Sequence, residues 1–334
     1  MYTVSGRQSA FGIMDILLEM EYRRCKKSYI SNNKETNAMH VVKRWFSCTI
    51  SALTLLVTSF SANAVDSYVL PIVPARLEDV KELLTQALEI TKESHGDYEL
   101  SSTRARLTED RMLVEIEKDR LINITWSSTS QQREEQLYPI RIPLRKGLLG
   151  YRLSLANPEG QLKAQQVQTL ADLQQLKIGQ GQDWGDVKVY QANGIDPYKV
   201  FKFELLFPQL AKKRFDLLPL GVNEAHGILE RRKDKYPNLS VEKELVLYYP
   251  WPYYFFMSKK NAKLANRVEI GLNKLIANGT FDKIFYKYHR DKILRANLNK
   301  RRLIRLDNPE LPAKTPLSNR SLWFEPSDIL TKML

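Results

Sequence analysis

A run of hydroxyl side chains followed by an arginine is the place where this sequence most plainly offers binding chemistry. The run spans residues 125–130, contains Ser128, ends a stretch predicted to be a strand, and is followed by Arg133. Ligands of open α/β sheets bind beyond the carboxyl ends of strands, where a guanidinium can grip a carboxylate through two parallel hydrogen bonds. The residues alone leave an alternative open, because Arg133 precedes Glu134 and Glu135, and a solvated arginine in a charged patch is the commoner case.

Two other stretches could contribute to a binding site. Trp126, at the predicted strand end, could stack on a ligand or equally fill the core. Residues 179–184 read Gly-Gln-Gly-Gln-Asp-Trp, a glycine-rich turn that suits an anion if a helix follows and is otherwise an ordinary tight turn. It is not a dinucleotide-binding fingerprint, because Trp184 stands where the third glycine would be.

Catalytic and metal-binding motifs are absent from the sequence. It contains no G-x-S-x-G, no H-E-x-x-H and no spaced Cys/His pair. Its four histidines are scattered, and its two cysteines, Cys25 and Cys48, form neither a disulfide framework nor a cysteine-rich zinc site. We therefore predict no catalytic residue, no metal, no cofactor and no enzymatic activity.

Composition and charge are those of a globular protein with a cleavable leader. The 334 residues carry 51 Lys and Arg against 38 Asp and Glu, a net charge of +13, and 43% are hydrophobic. Residues 39–64 read as a signal peptide: Lys and Arg precede an uncharged run over 45–60, and Ala-Asn-Ala ends at Ala64, the predicted cleavage site. An uncleaved anchor is the alternative. Residues 1–38 fit no signal peptide, so we expect them to be a gene-start extension.

The rest of the chain alternates between strand and helix patterns. Strands are predicted at 67–74, 98–102, 121–126, 148–156, 177–179, 187–191, 215–220 and 245–257. Helices are predicted at 77–92, 104–120, 167–176, 201–213, 224–235 and 262–276. This alternation indicates an α/β fold with mostly parallel sheets. Proline-containing turns at 157–160 and 250–252 bracket the middle block and suggest two lobes joined by two crossings.

Three stretches resemble the type II periplasmic solute-binding proteins, in the amino-acid-binding branch called family 3. Residues 272–288 (LNKLIANGTFDKIFYKY) are similar to that family's last helix pair. Residues 130–133 (Ser-Gln-Gln-Arg) are similar to its Thr-x-x-Arg element, and 210–216 (LAKKRFD) to its helix followed by a strand that begins at Asp. The resemblance covers residues 67–290.

The resemblance implies two α/β lobes joined by a two-stranded hinge. The first lobe would be 65–155 plus 248–300 and the second 156–247, with a tail at 301–334 packed on the first lobe or extended. Arg133 would clamp a ligand carboxylate, with Ser128 as its hydroxyl partner. Across the cleft would lie the turn formed by Gly181, Gln182, Asp183 and Trp184. Where the family places an amine-binding Asp, this sequence has Gly221, and Glu224 is the nearest carboxylate.

The implied function is capture of a small polar, carboxylate-bearing, amino-acid-like ligand in the cleft for an ABC transporter. The partners would be that ligand and an ABC permease of the inner membrane. The chain would be a monomer in the periplasm of a Gram-negative bacterium. Its positive charge is spread along the chain rather than gathered in a stripe, so no nucleic-acid partner is expected. The alternatives are a free-standing sensor for a membrane signalling partner and a dehydratase-like enzyme on the same scaffold.

Overall fold

Helices and strands alternate along almost the whole of the part that can be described. The computed structural model describes Arg23 and residues 65–329. The predicted signal peptide and its cleavage site lie outside the described residues, as does the gene-start extension apart from Arg23. The strands are β1 (Asp66–Leu70), β2 (Tyr98–Ser102), β3 (Ile124–Ser128), β4 (Tyr138–Ile140), β5 (Tyr151–Ala156), β6 (Gly179–Gly181), β7 (Tyr198–Val200), β8 (Leu217–Gly221), β9 (Ser240–Val241), β10 (Leu245–Tyr248), β11 (Tyr253–Met257) and β12 (Arg302–Arg305).

The helices are α1 (Glu78–Glu89), α2 (Lys92–His95), α3 (Glu109–Glu117), α4 (Gln131–Gln136), α5 (Pro158–Gln166), α6 (Leu170–Leu173), α7 (Asp186–Ala192), α8 (Phe203–Ala211), α9 (Ala225–Glu230), α10 (Ala262–Ala277) and α11 (Thr280–Ala296). The predicted α/β class is confirmed. None of the helices in the described part of the chain is both long and apolar enough to cross a membrane.

The strands form mixed sheets, so the expectation of mostly parallel sheets is wrong. One sheet has the order β3-β11-β4, with β11 antiparallel to both neighbours. A larger sheet has the order β12-β10-β5-β8 with β9 at the side of β5, and β5 is antiparallel to each of its partners. The parallel pairs are β1 with β2, β6 with β7, and β10 with β12. The returning strands β10 and β11 explain the difference, because each enters a sheet formed by earlier strands.

The hydrophobic core of residues 65–329 is divided among separate clusters. One cluster lies between β1, β3 and β11 on one side and helices α1 and α10 on the other. Helices α1 and α10 approach closely at Gly271, where an added Cβ would lie 2.1 Å from the carbonyl oxygen of Ala87. Two further clusters cover opposite faces of the β5–β8–β10 sheet. Separate cores are compatible with two lobes, but the lobe boundaries given above remain a prediction.

Three departures of the local structure from the sequence prediction bear on how the chain is organised. Residues 187–191, predicted as a strand, lie in helix α7. Asn157 does not begin a simple turn; it caps helix α5 by accepting the N–H of Gly160, and Pro158 occupies the first helical turn. The long extended run at 245–257 is interrupted by 249–252 and forms β10 and β11 in different sheets.

The C-terminal segment, predicted to pack on the first lobe or extend, forms strand β12 on the edge of the larger sheet. Two of its arginines are half-buried and bond to the backbone: Arg301 donates to the carbonyl oxygens of Ala296 and Leu245, and Arg302 donates to that of Val167. The chain then returns to the first core cluster, where Trp323 is buried. The basic tail is thus part of the packed structure.

Candidate functional site

Arg133 and Ser128, the two residues predicted to hold a ligand carboxylate, contact each other at the end of β3. Ser130 caps helix α4 by accepting the N–H of Arg133, which places the arginine in the first helical turn. The Arg133 side chain folds back so that Nη1 donates to the Ser128 carbonyl oxygen and lies 3.4 Å from its hydroxyl oxygen. Tyr253 of β11 pairs with Ser128 across the sheet. The site therefore combines a guanidinium, a hydroxyl and a phenol at one strand end.

The positive charge of Arg133 is poorly compensated. Its side chain is only 19% exposed, and its Nε is buried without a hydrogen-bond partner. The nearest anion, Glu109, lies 3.7 Å from Nη2 and is itself 59% exposed. Burial lowers the pKa of Arg133, against the opposing influence of Glu109. A buried guanidinium with a free N–H and a weak counter-ion is suited to bind a further anion.

Trp126 lies in the core. It is 4% exposed, belongs to the first hydrophobic cluster and faces Phe255 in the neighbouring strand. Burial of this kind explains its position without a ligand, so the core-packing interpretation accounts for Trp126.

The turn at 181–184 precedes helix α7, but its N–H groups are partly occupied. The N–H of Gln182 donates to the carbonyl oxygen of Val200, and that of Trp184 donates to Gly181. The Trp184 ring lies over Gly181, where an added Cβ would be 2.5 Å from the ring, so a larger residue would displace it. Among the described residues, no hydrogen bond or ion pair joins Arg133 to Gln182, Asp183 or any other residue of this turn. The side chains of Gln182 and Asp183 are exposed.

Glu224 is held by its own turn. Its Oε1 accepts the N–H of Gly221 at 3.1 Å, closing the loop after β8. Beside it, the Oδ1 atom of Asn223 is buried and has no hydrogen-bond partner. Burial lowers the pKa of Arg145 and of Arg152, but neighbouring acidic groups raise both above the usual value. Glu224 is a minor contributor among those groups. Asn223 is a polar acceptor that the sequence reasoning missed.

The sequence analysis also missed a buried group of polar and aromatic side chains around Arg152. Arg152 forms an ion pair with Asp186 at 2.8 Å, and its guanidinium lies against the rings of Tyr249 and Trp251, 5.2 and 5.6 Å from their centroids. The Tyr249 hydroxyl donates to the same Asp186 carboxylate. The Nε of Arg152 is buried and has no hydrogen-bond partner. The available sequence signal was an arginine within the otherwise apolar strand at 151–156.

Comparisons with known proteins add likenesses of structure only. No family model matches the sequence, and no curated protein sequence does. An ancestral arginine-binding protein bound to glutamine is 14% identical with a TM-score of 0.46, over 66% of this chain and 97% of that one. An arginine-specific periplasmic binding protein of Salmonella typhimurium is 15% identical with a TM-score of 0.46, over 67% and 99%. A histidine kinase sensor domain with similarity to periplasmic binding proteins is 16% identical with a TM-score of 0.45, over 67% and 96%. At these scores the likenesses establish neither membership of a family nor a ligand.

A second buried ion cluster lies between helices α1 and α11. Arg145 forms two hydrogen bonds with Asp79, at 2.6 and 2.7 Å, and the Nε2 atom of His289 lies 3.0 Å from the same carboxylate. Since a carboxylate only accepts, His289 carries its hydrogen on Nε2, and its buried Nδ1 has no partner. Burial alone would raise the pKa of Asp79, but hydrogen bonds from His289 and Arg145 lower it far below its usual range. Burial lowers the pKa of His289, although Asp79 opposes this.

These shifts predict a loss of stability in acid in two stages. His289 is a base whose pKa falls on folding, so the unfolded chain takes up its proton first, and stability falls as the pH drops below about 6.5. Asp79 has a lowered pKa, so its contribution is present above about pH 4 and is lost below it. Thermal melts of His289→Gln should show less destabilisation between neutral and mildly acidic pH than the wild type. His95→Gln, at a half-buried histidine on helix α2, is the control and should retain the wild-type slope. An unchanged slope in His289→Gln would contradict the assignment.

Proposed function

We propose that this chain is an exported solute-binding protein that captures a small polar ligand through the ligand's carboxylate. The observation that carries the proposal is the state of Arg133, a largely buried guanidinium with an unpartnered Nε and one exposed counter-ion, Glu109, at 3.7 Å. A carboxylate that docked there would supply the missing negative charge and accept the free N–H. Such hydrogen bonds to a charged partner are among the strongest that a protein makes.

We further propose that the ligand is amino-acid-like. Asn223 Oδ1 is a buried acceptor without a partner, and Glu224 beside it retains carboxylate lone pairs beyond the one given to Gly221. Together they could receive an ammonium group, in place of the aspartate that the family pattern would put at position 221. Gln182 and Asp183 are exposed polar side chains that could close over the ligand from the turn before α7.

The proposal extends to the architecture and the setting. Two lobes, 65–155 with 248–300 and 156–247, would close on the ligand by bending at the hinge, as in other hinge proteins. The loaded protein would deliver its ligand to an ABC permease from the periplasm. Support for this part is the sequence resemblance together with the chemistry of the site.

A thermal-shift screen tests the proposed ligand class. A ligand that binds only the folded protein stabilises it by about 2.7 kcal/mol at a hundredfold excess over Kd. We expect stabilisation by amino acids or small carboxylates and none by the methyl ester of the same compound, because the ester removes the negative charge. An ester that stabilises as well as its acid, or a panel in which no carboxylate raises the melting temperature, would contradict the proposal.

A further inference from the structure

An exposed aromatic ridge lies where β7 leads into α8. We use the name aromatic ridge for four apolar side chains in residues 198–205, whose exposed fractions are 41% for Tyr198, 71% for Phe201, 37% for Phe203 and 47% for Leu205. The other large hydrophobic side chains with comparable exposure among the described residues are dispersed along the chain. Four exposed apolar side chains in eight consecutive residues form a local concentration, unlike hydrophobic residues exposed singly.

The aromatic ridge has a rigid base. The Phe203 ring lies 6.1 Å from that of Trp184 and 5.2 Å from that of Phe207, which is buried. The guanidinium of Arg232 lies over both phenylalanine rings, 5.3 and 4.2 Å from their centroids. Tyr198 packs against Phe215 with ring centroids 5.7 Å apart. Because these neighbours hold the ridge in place, Phe201 projects from a fixed platform.

The charges around the aromatic ridge favour an anionic partner. Lys199 and Lys202 alternate with the aromatic residues, and both are exposed. Two of the nearby acids are already paired: Glu204 accepts from Arg232, with its Oε2 3.2 Å from Nε, and Asp196 lies 3.5 Å from the ammonium of Lys199. Three more basic residues are exposed at and after the end of helix α9, namely Arg231, Lys233 and Lys235.

We propose that the aromatic ridge docks on an anionic lipid surface. Aromatic side chains that project among lysines are suited to the boundary between headgroups and acyl chains. Phe201 would enter the apolar layer while Lys199 and Lys202 contact lipid phosphates. This activity does not depend on the proposed ligand site, because no residue of the ridge is assigned to that site.

Part of the basic C-terminal segment is unavailable to such a surface. Arg301 and Arg302 of the C-terminal segment are half-buried and donate to backbone carbonyl oxygens. Their charges are therefore committed to the fold, whereas Lys202 extends from the ridge into solvent.

Sedimentation with lipid vesicles tests the proposal. Residues 64–334 are used, since they form a compact unit with its own cores and lack the apolar run at 45–60. The protein should bind mixed phosphatidylcholine–phosphatidylglycerol vesicles in low salt, bind phosphatidylcholine alone weakly, and be released by high salt as the charges are screened. Phe201→Ser should lower partitioning about tenfold, because the most exposed apolar contact is lost.

Matched variants separate the aromatic ridge from general surface properties. Leu121→Ser changes a leucine that is 51% exposed between α3 and β3, and it should bind as the wild type does. Lys202→Glu should weaken binding to the anionic vesicles, whereas Lys274→Glu, at an exposed lysine of α10, should weaken it less. Failure to bind anionic vesicles would overturn the proposal. Equal binding by Phe201→Ser and wild type would overturn it too, because the attraction would then come from net charge alone.

Discussion

Arg133→Ala should weaken the binding of a carboxylate ligand at least about thirtyfold. If the clamp is enclosed when the ligand binds, the variant leaves a desolvated carboxylate without its charge partner, a loss that typically costs about 2–5 kcal/mol. Isothermal titration with the hit from the thermal-shift screen measures the change in Kd. Arg133→Lys should recover only part of the affinity, because an ammonium cannot give the two parallel hydrogen bonds of a guanidinium.

The same variant should leave the unliganded protein no less stable. The guanidinium of Arg133 is largely buried with an unpartnered Nε, so its removal relieves a desolvation cost even as it breaks the bond to Ser128. Arg106→Ala removes the same charge from an exposed site and should affect neither stability nor affinity. If Arg133→Ala bound the ligand as tightly as Arg106→Ala does, Arg133 would be excluded from the site.

Arg267→Ala should lower the free energy of unfolding by about 3–5 kcal/mol, the usual result of breaking a buried ion pair. Arg267 is 1% exposed and lies in helix α10, close to strand β1 and the loop before β2. Its guanidinium pairs with Asp66 at 2.7 Å and also donates to the hydroxyl of Thr91 at 3.1 Å and the carbonyl oxygen of Gly96 at 2.6 Å. The alanine variant would leave all three acceptors without this donor, in addition to a cavity.

Urea unfolding measures this effect. Lys274→Ala, on an exposed turn of the same helix, is the matched control and should change stability by no more than about 0.5 kcal/mol. Arg267→Lys should fall between the two, because a lysine retains the charge but cannot reach every acceptor. Equal stability of Arg267→Ala and Lys274→Ala would show that the buried network contributes nothing net.

Much of the secondary structure could be predicted because its signals are local. Helix α10 shows an apolar face at helical spacing, and its end is marked by Gly279, which adopts the left-handed conformation with φ of 77°. Strand β2 was predicted at its observed bounds, and the strand predicted at 121–126 overlaps the first half of β3. Helix α7 was predicted as a strand because its buried residues, Val187, Val189 and Tyr190, include an alternating pair of valines. Alternating apolar residues in so short a segment fit a strand as well as a helix.

The contacts of the candidate sites are likewise of two kinds, those made within a short stretch of sequence and those made when separate elements pack together. The sequence singled out Arg133 and Ser128 as ligand contacts, which stays a prediction. Their contact with each other has a local origin, because the two residues are close in sequence and the Ser130 cap turns the chain back on the strand end. The sequence by itself determined a globular chain from its composition, an α/β class from its alternating helix and strand patterns, and the absence of recognisable catalytic or metal motifs. The contact of Arg152 with Asp186 and Tyr249 was decided only by tertiary structure. These residues come from β5, α7 and the segment after β10, and no spacing rule relates residues that meet only when separate elements pack together.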